Sequence, residues 1–255
     1  MSDRTVSTVQ SVDRALSILQ LLQENAEGMG VTEIAHHLDV AKSTVHRLLA
    51  SLKQKGYVRQ DDMLEKYRLG LKLLELGETV SENMDIRKTA NPYLVKLAQK
   101  TGETIHLGIR EGAEVIYVDK VERYAPIRMY SSVGKRAPLY CTGIGKALLA
   151  FASKEAGDHL LSTLTLKKYT PHTVTDKDEL NKQLGHIRER GYSIDNEEHE
   201  EGIRCTASPI WNHRGEAIAA ISVAGSTSRM TEEKVKSCTG SLLHTALEIS
   251  RSLGY

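Results

Sequence analysis

Apolar spacing between residues 31 and 54 leaves this chain few ways to fold. Val45, Leu48, Leu49 and Leu52 recur at i, i+3, i+4 and i+7, one stripe of a helix that must face a core. At about 100° per residue, Ser43, Arg47, Ala50 and Gln54 fall on the opposite side, with His46 at its edge. Just upstream, Ile34, Ala35 and Leu38 form the buried side of a second short helix, and Leu38-Asp39-Val40-Ala41 makes the turn between the two. Val12, Ala15, Leu16, Leu19 and Leu22 mark a longer helix, ending near Gly28-Met29-Gly30, that would complete a three-helix core. Gly56 to Gly70 then reads as two short strands around an Asp61-Asp62 turn. Two helices at a tight turn followed by a hairpin have the layout of a winged helix-turn-helix, predicted over residues 8–70. The outer face of its second helix is small and polar with one arginine, which suits a major groove about 12 Å wide.

Charge is distributed to match. Residues 41–72 carry a net charge of +5, while the remainder carries −4, although the whole chain has only +1. Such local concentration is what phosphate neutralisation and counterion release require. Arg47, with Ser43, Thr44 and His46, is placed to read base edges; Lys42, Arg59, Lys66 and Arg68 are placed to hold phosphates. A solvated helix pair in an ordinary domain explains any one of these features, but not phasing, wing and charge together.

The 255 residues accommodate two modest domains, and 40% hydrophobic with 26% charged residues is a soluble globular composition. Met1-Ser-Asp-Arg-Thr lacks the apolar region of a signal peptide, and no run approaches the roughly 18 apolar residues of a membrane span. Cys141, Cys205 and Cys238 are few, odd in number and widely spaced, so neither a disulfide framework nor a zinc site is expected, and a reducing cytoplasm is the expected compartment. No cofactor is expected. Residues 71–90 form the predicted linker helix, in which Leu73, Leu76, Val80 and Met84 keep helical spacing. An unpaired apolar stripe of this kind points to self-association. Another helix is expected after Asn91-Pro92, over Tyr93–Lys100.

Residues 91–255 read as an α+β domain around a mostly antiparallel sheet. Strands are expected at Glu103–Ile109, Glu114–Val121, Ile127–Tyr130, Tyr192–Asp195, Arg204–Trp211 and Ala217–Ala224. A loop containing Gly134 and Pro138 is followed by helices at Gly143–Ala152, Lys154–Leu164 and Asp176–Arg190. A final helix runs from Thr231 to Leu253. Three features could converge on one pocket. Gly143 and Ile144 begin a helix after a glycine turn, where free N–H groups attract an anion; the spacing is too short for a nucleotide-binding P-loop. Asp195 ends one strand and Cys205 starts the next across an acidic loop, and Ser222 sits in a nearly apolar strand. Backbone amides for a carboxylate, with an acceptor and small donors beyond, describe a pocket for a small hydroxy or keto acid.

With these residues laid out, the chain closely resembles the IclR family of bacterial transcription regulators, almost end to end. The resemblance rests on Val9-Gln-Ser-Val-Asp-Arg-Ala-Leu-Ser-Ile-Leu, Lys42-Ser-Thr-Val-His-Arg-Leu-Leu, Tyr67-Arg-Leu-Gly, Gly143-Ile-Gly-Lys-Ala and Asp195-Asn-Glu-Glu-His-Glu-Glu-Gly-Ile-Arg-Cys205. It implies a winged helix-turn-helix, a linker helix and a profilin- or GAF-like effector domain. It also implies homodimers or homotetramers that bind palindromic double-stranded operators, with repression as the default outcome and activation in some members. By the same resemblance, effector contacts fall on Gly143, Ile144, Asp195, Cys205 and Ser222, and the effector is a small carboxylate metabolite. Where glyoxylate-binding members carry a second serine this chain has Ala224, which gives a less polar, roomier wall and puts glyoxylate in doubt. The segment from Met129 to Gly143 resembles members that respond to sugar-derived keto acids such as 2-keto-3-deoxygluconate. The competing reading is an enzyme with Cys205 as nucleophile and His199 as base, or a metal site at Asp195, His199 and Cys205. The acid-rich loop argues against an activated thiol.

Overall fold

A computed structural model describes residues 9–61, 64–82, 85–122, 129 and 131–255, and the chain divides into two units, Met1–Asn83 and Met84–Tyr255. The first is built on helices α1 (Gln10–Glu24), α2 (Val31–Leu38) and α3 (Lys42–Gln54). Their contact is made by Ile18, Ile34, Val45 and Leu49, none of which has exposed surface. Asp39 adopts the left-handed conformation (φ 49°) that turns the chain from α2 towards α3, and Val40 N–H donates to the Ala35 carbonyl. Strands β1 (Val58–Gln60) and β2 (Tyr67–Leu69) pair antiparallel, and the Asp61 N–H closes the ribbon on the Lys66 carbonyl at 2.8 Å. Asp62, the other half of the expected turn, lies outside the described residues. Helix α4 (Lys72–Glu82) completes the unit.

Two expectations for α1 need correction. Its buried line is Ile18 and Leu22, whereas Val12 and Leu16 are 53% and 54% exposed. The apolar face of α1 is wider than the core it meets, so one flank covers α2 and α3 while the other stays on the surface. The helix also stops at Glu24, short of Gly28. Gly28 serves a different purpose: at φ +79° a Cβ there would lie 2.8 Å from the Tyr67 carbonyl, so glycine lets the wing dock through the Met29–Tyr67 bridge.

The second unit is a six-stranded antiparallel sheet in the order β5-β4-β3-β8-β7-β6. Its elements in chain order are α5 (Asp85–Thr101), β3 (Thr104–Glu111), β4 (Glu114–Val121), β5 (Arg136–Pro138), α6 (Gly143–Ala150), α7 (Lys154–Thr163), α8 (Lys177–Arg190), β6 (Ser193–Asn196), β7 (Ile203–Trp211), β8 (Ala217–Ser226) and α9 (Glu232–Ser252). One face of the sheet packs on α6 and α8 through Tyr117, Ala207, Ile144 and Leu184. The other packs on α5 and α9 through Ile105, Val223, Leu94 and Leu242. Both sheet faces are therefore buried, which is why β8 lacks the apolar–polar alternation of a one-sided sheet.

Helix α5 runs through Pro92 instead of starting after it. Proline removes one helix bond, but Ala90, Leu94, Leu97 and Ala98 are all buried, and Asn91 Nδ2 donates to Asp119 Oδ2 at 2.8 Å, so tertiary packing overrides the local break. The stretch expected as a loop around Gly134 and Pro138 contains β5, a short edge strand where a proline without an N–H is tolerated. The strand expected at Ile127–Tyr130 lies, Met129 apart, outside the described residues.

Leu49 is fully buried in the small core that the three helices share, so Leu49→Ala is expected to lose about 2–5 kcal/mol. Urea unfolding followed by circular dichroism measures this. A loss under about 1 kcal/mol would mean that the stripe is not the centre of the unit.

Candidate functional site

The first unit presents its basic residues outward. On α3, Lys42, Ser43, His46 and Arg47 are exposed and Thr44 is half-buried. On the ribbon, Arg59 is exposed, while Lys66 and Arg68 are half-buried. Arg59 stands directly opposite Arg68 across β1 and β2, a pair of like charges that is unfavourable unless an anion lies nearby. Arg68 is the less available of the two: its guanidinium approaches Glu27 at 3.8 Å, and its stem packs over Gly28. Helix α3 begins after Ala41 with no side-chain cap and no acid in its first turn. By contrast, α7, α8 and α9 are capped by Ser153, Asp176 and Thr231 and have acids there. A lysine at an uncapped helix N-terminus opposes the helix dipole, but it suits a helix end that faces phosphate. Arg47 also borders a groove of about 680 Å³ whose far wall is Val12 and Leu16 of α1.

In the second unit, strand register brings the separate sequence features into one place. Asp195 pairs with Cys205 and Cys205 with Ala224, while Ser222 pairs with Ala207 on one side and His106 on the other. Helix α6 lies across these strands, buried along its whole length. Its start is held by Thr142, whose hydroxyl accepts from Gly145 N–H and donates to the Pro138 carbonyl, and by Ser193, which donates to the Gly143 carbonyl at 2.6 Å. Gly143 is required here, because a Cβ would lie 2.6 Å from Cys205 Sγ. Gly143, Ile144, Asp195, Cys205, Ser222 and Ala224 all line one cavity. Even with alanine at 224, the space among the described residues is about 40 Å³, little more than a water molecule's share of liquid volume, about 30 Å³.

Burial dominates the electrostatics of this cavity. Asp195 Oδ1 accepts from Glu198 N–H at 2.8 Å, and Oδ2 stands 3.9 Å from Cys205 Sγ. Loss of water pushes the Asp195 carboxyl up to about 7, against the smaller lowering effect of Lys146. Lys146 is itself buried; it pairs with Glu198 and donates to Gln183 Oε1 at 3.2 Å. The other oxygen of Glu198, Oε2, is buried and has no hydrogen-bond partner among the described residues. Burial, then the Asp195 charge, raises the Cys205 thiol well above its ordinary range. Burial also lowers the His199 imidazole. A thiol kept protonated is a poor nucleophile, and among the described residues no three His, Cys, Asp or Glu side chains are grouped as a metal site.

His106, Tyr117 and Ser131 also line the cavity and were not anticipated from the sequence. His106 Nε2 lies 2.8 Å from Ser131 Oγ, and its Nδ1 lies 3.4 Å from Ser222 Oγ, so the ring orients the serine that was anticipated. Burial, with Lys120 adding to it, lowers the ring to about 3 and keeps it neutral. The available signal was a lone histidine between Ile105 and Leu107, the same anomaly that singled out Ser222.

Known proteins match this arrangement from end to end. Residues 78–251 match the C-terminal domain of the bacterial transcriptional regulator IclR, and residues 11–62 match the IclR helix-turn-helix domain. The chain belongs to the IclR family. It is 40% identical to the HTH-type transcriptional regulator XynR of Escherichia coli K12, over 97% of this chain and 98% of that protein. It is 36% identical to the HTH-type transcriptional repressor AllR of the same strain, over 96% and 90%. The crystal structure of Thermotoga maritima IclR superposes with a TM-score of 0.81 at 37% identity, covering 96% of this chain and 99% of that one. As an IclR-family member the protein is a DNA-binding transcriptional regulator, not an enzyme. The Cys205–His199 alternative therefore falls on family grounds as well as on the state of the thiol.

Because the Asp195 carboxyl titrates higher in the folded protein than in the unfolded chain, its neutral form favours folding. That contribution is whole below about pH 4 and is lost as pH rises to about 7. Asp195→Asn should therefore gain melting temperature over the wild type progressively between about pH 4 and 7 and hold a constant lead above that. The low-pH cost of His106 is common to both proteins and cancels. A lead that does not vary with pH would contradict the assignment.

Proposed function

We propose that this IclR-family regulator is a repressor whose operator affinity is set by a small carboxylate metabolite bound in the cavity of the second unit. The observation that carries the proposal is the convergence of Gly143, Ile144, Asp195, Cys205 and Ser222 on one cavity at the start of a helix. Amides at the α6 N-terminus receive the carboxylate, and Ser222, oriented by His106, meets a hydroxyl or keto oxygen. A sugar-derived keto acid fits the loss of a hydroxyl at Ala224, and the tightness of the space means that the wall moves as the acid binds. Repression follows AllR, named as a repressor.

On the DNA side, Arg47, Ser43, Thr44 and His46 read bases in the major groove, while Lys42, Arg59, Lys66 and Arg68 bind phosphate. By role, the division into residues 8–70, 71–90 and 91–255 separates reading head, linker and sensor; by packing, α4 goes with the first unit and the start of α5 with the second. Leu71 and Leu74, 77% and 69% exposed and three residues apart, form the surface through which a second copy pairs, giving two heads for a palindromic operator. Of the stripe expected from the sequence, Leu73 is half-buried and Leu76 lies on the other side of the helix, while the side chains of Val80 and Met84 lie outside the described residues. The acid changes operator affinity to the extent that it binds two arrangements of the paired heads unequally.

Arg47→Ala should weaken binding to a selected operator by about 1–3 kcal/mol and relax its sequence preference, while the acid's affinity stays unchanged. Fluorescence anisotropy at fixed salt tests this, and unaltered affinity and preference would remove Arg47 from the groove. Leu71→Glu with Leu74→Glu should shift the protein towards monomer in sedimentation velocity; an unchanged assembly would place the interface elsewhere.

A further inference from the structure

The pocket described above holds a contradiction if its ligand is an anion. Its walls carry a buried carboxylate, Asp195, and the cation nearest to it in effect, Lys146, is already committed to Glu198 and Gln183. An ionised acid seated at the α6 N-terminus beside an ionised Asp195 would place two negative charges together in a site with little water to screen them. We propose that the acid effector binds together with one proton, taken up by Asp195, which then serves as a hydrogen-bond donor to the bound anion. The inference rests on the reading of this cavity as the acid site.

Oxygen geometry supports that role. Oδ1 is engaged by the Glu198 N–H at 2.8 Å, the His199 N–H also bonds the carboxyl, and Oδ2 lies 3.9 Å from the Cys205 thiol. A proton on Oδ2 leaves Oδ1 to accept from the Glu198 N–H, so the neutral carboxyl accepts from the backbone through one oxygen and donates to the ligand through the other. Ligand charge then cancels against the incoming proton, and no new cation is needed.

Other groups around Asp195 are poorer acceptors for that proton. From α6, Lys146 carries its proton already and pairs with Glu198. From β7 and the turn before α6, Cys205 and Cys141 are thiols that burial keeps protonated. From β4, Tyr117 is a phenol raised by burial and likewise holds its proton. From β3, His106 is locked between Ser131 and Ser222, and burial disfavours its charged form. Of the loop residues 198–200, Glu198 holds Lys146 through one oxygen and leaves Oε2 without a partner among the described residues, Glu200 lines the cavity, and His199 stacks obliquely on Tyr169 at 5.3 Å. These three are the competitors, and uptake that persists in Asp195→Asn would assign the proton to one of them and overturn the inference.

Calorimetric titration of the full chain with pyruvate, glyoxylate and 2-keto-3-deoxygluconate, in two buffers of unlike ionisation heat (HEPES and Tris at the higher pH, MES and Bis-Tris at the lower), counts the protons exchanged from the difference in apparent heat. With Asp195 titrating near 7, uptake should approach about one proton per acid at about pH 8 and fall to near zero at about pH 5.5. Affinity should weaken roughly tenfold per pH unit above about pH 7. Asp195→Asn, whose amide can donate in the same direction, should bind with no proton uptake and with affinity independent of pH. His199→Gln should leave the proton count as in the wild type. Binding by the wild type without proton uptake overturns the inference and leaves the acid site standing, as does uptake that vanishes in His199→Gln. Failure of all three acids to bind removes both the acid site and the inference. If Asp195→Asn does not fold, Glu198→Gln and Glu200→Gln join His199→Gln: a count kept in all three leaves the proton on Asp195, and a count lost in any one overturns the inference.

Discussion

The contact between Gly143 and Cys205 sets the geometry of the sensor. Helix α6 has no exposed residue, so it can lie across the sheet only if its first turn comes close to β7, and Gly143 permits this because its missing Cβ would occupy the place of the sulfur. That approach brings the helix N-terminus to Asp195, Cys205 and Ser222, which belong to three strands and meet only through antiparallel register. A small thiol and a glycine are thus a packing pair before they are a binding pair. The hydroxyls of Thr142 and Ser193 fix the helix start from either side. A two-sided sheet makes this possible: α5 and α9 bury the far face, leaving the near face to hold polar groups that its own hydrogen bonds satisfy.

The reading head follows a different logic. Its core is small and its outward face is held in an unfavourable state, with an uncapped α3 that begins with lysine and with two arginines facing each other across the wing. Each of these features would be relieved by phosphate. On the function proposed above, the head carries this cost in the free state and recovers it on DNA. The sensor holds its cost as buried charge, where Lys146, Glu198 and Asp195 lie within one polar cluster.

Periodicity made most of this architecture legible. Val45 and Leu49 lie at the centre of their core, Thr231 caps α9, and the wing strands lie where alternation placed them. Periodicity cannot report how wide a face its neighbours will cover, so Val12 and Leu16 were assigned to a core that does not reach them. Nor can it weigh packing against a local breaker, as Pro92 shows within α5. In the sensor, Gly143, Asp195, Cys205 and Ser222 stood out because each was chemically unusual for its setting. His106 and Ser131 escaped because a histidine–serine contact across 25 residues depends on tertiary structure alone. Lys146 looked like an ordinary helix lysine until the helix proved to be buried.

If occupation of the sensor controls the head, acid and operator must alter each other's affinity by the same factor, because the two binding events share one thermodynamic cycle. The decisive measurement is that pair of titrations on the full chain: operator affinity with and without saturating acid, and acid affinity with and without saturating operator. Gating by the α6 pocket predicts two equal factors that differ from one. If both ligands bind and neither changes the affinity of the other, the pocket is not the control site.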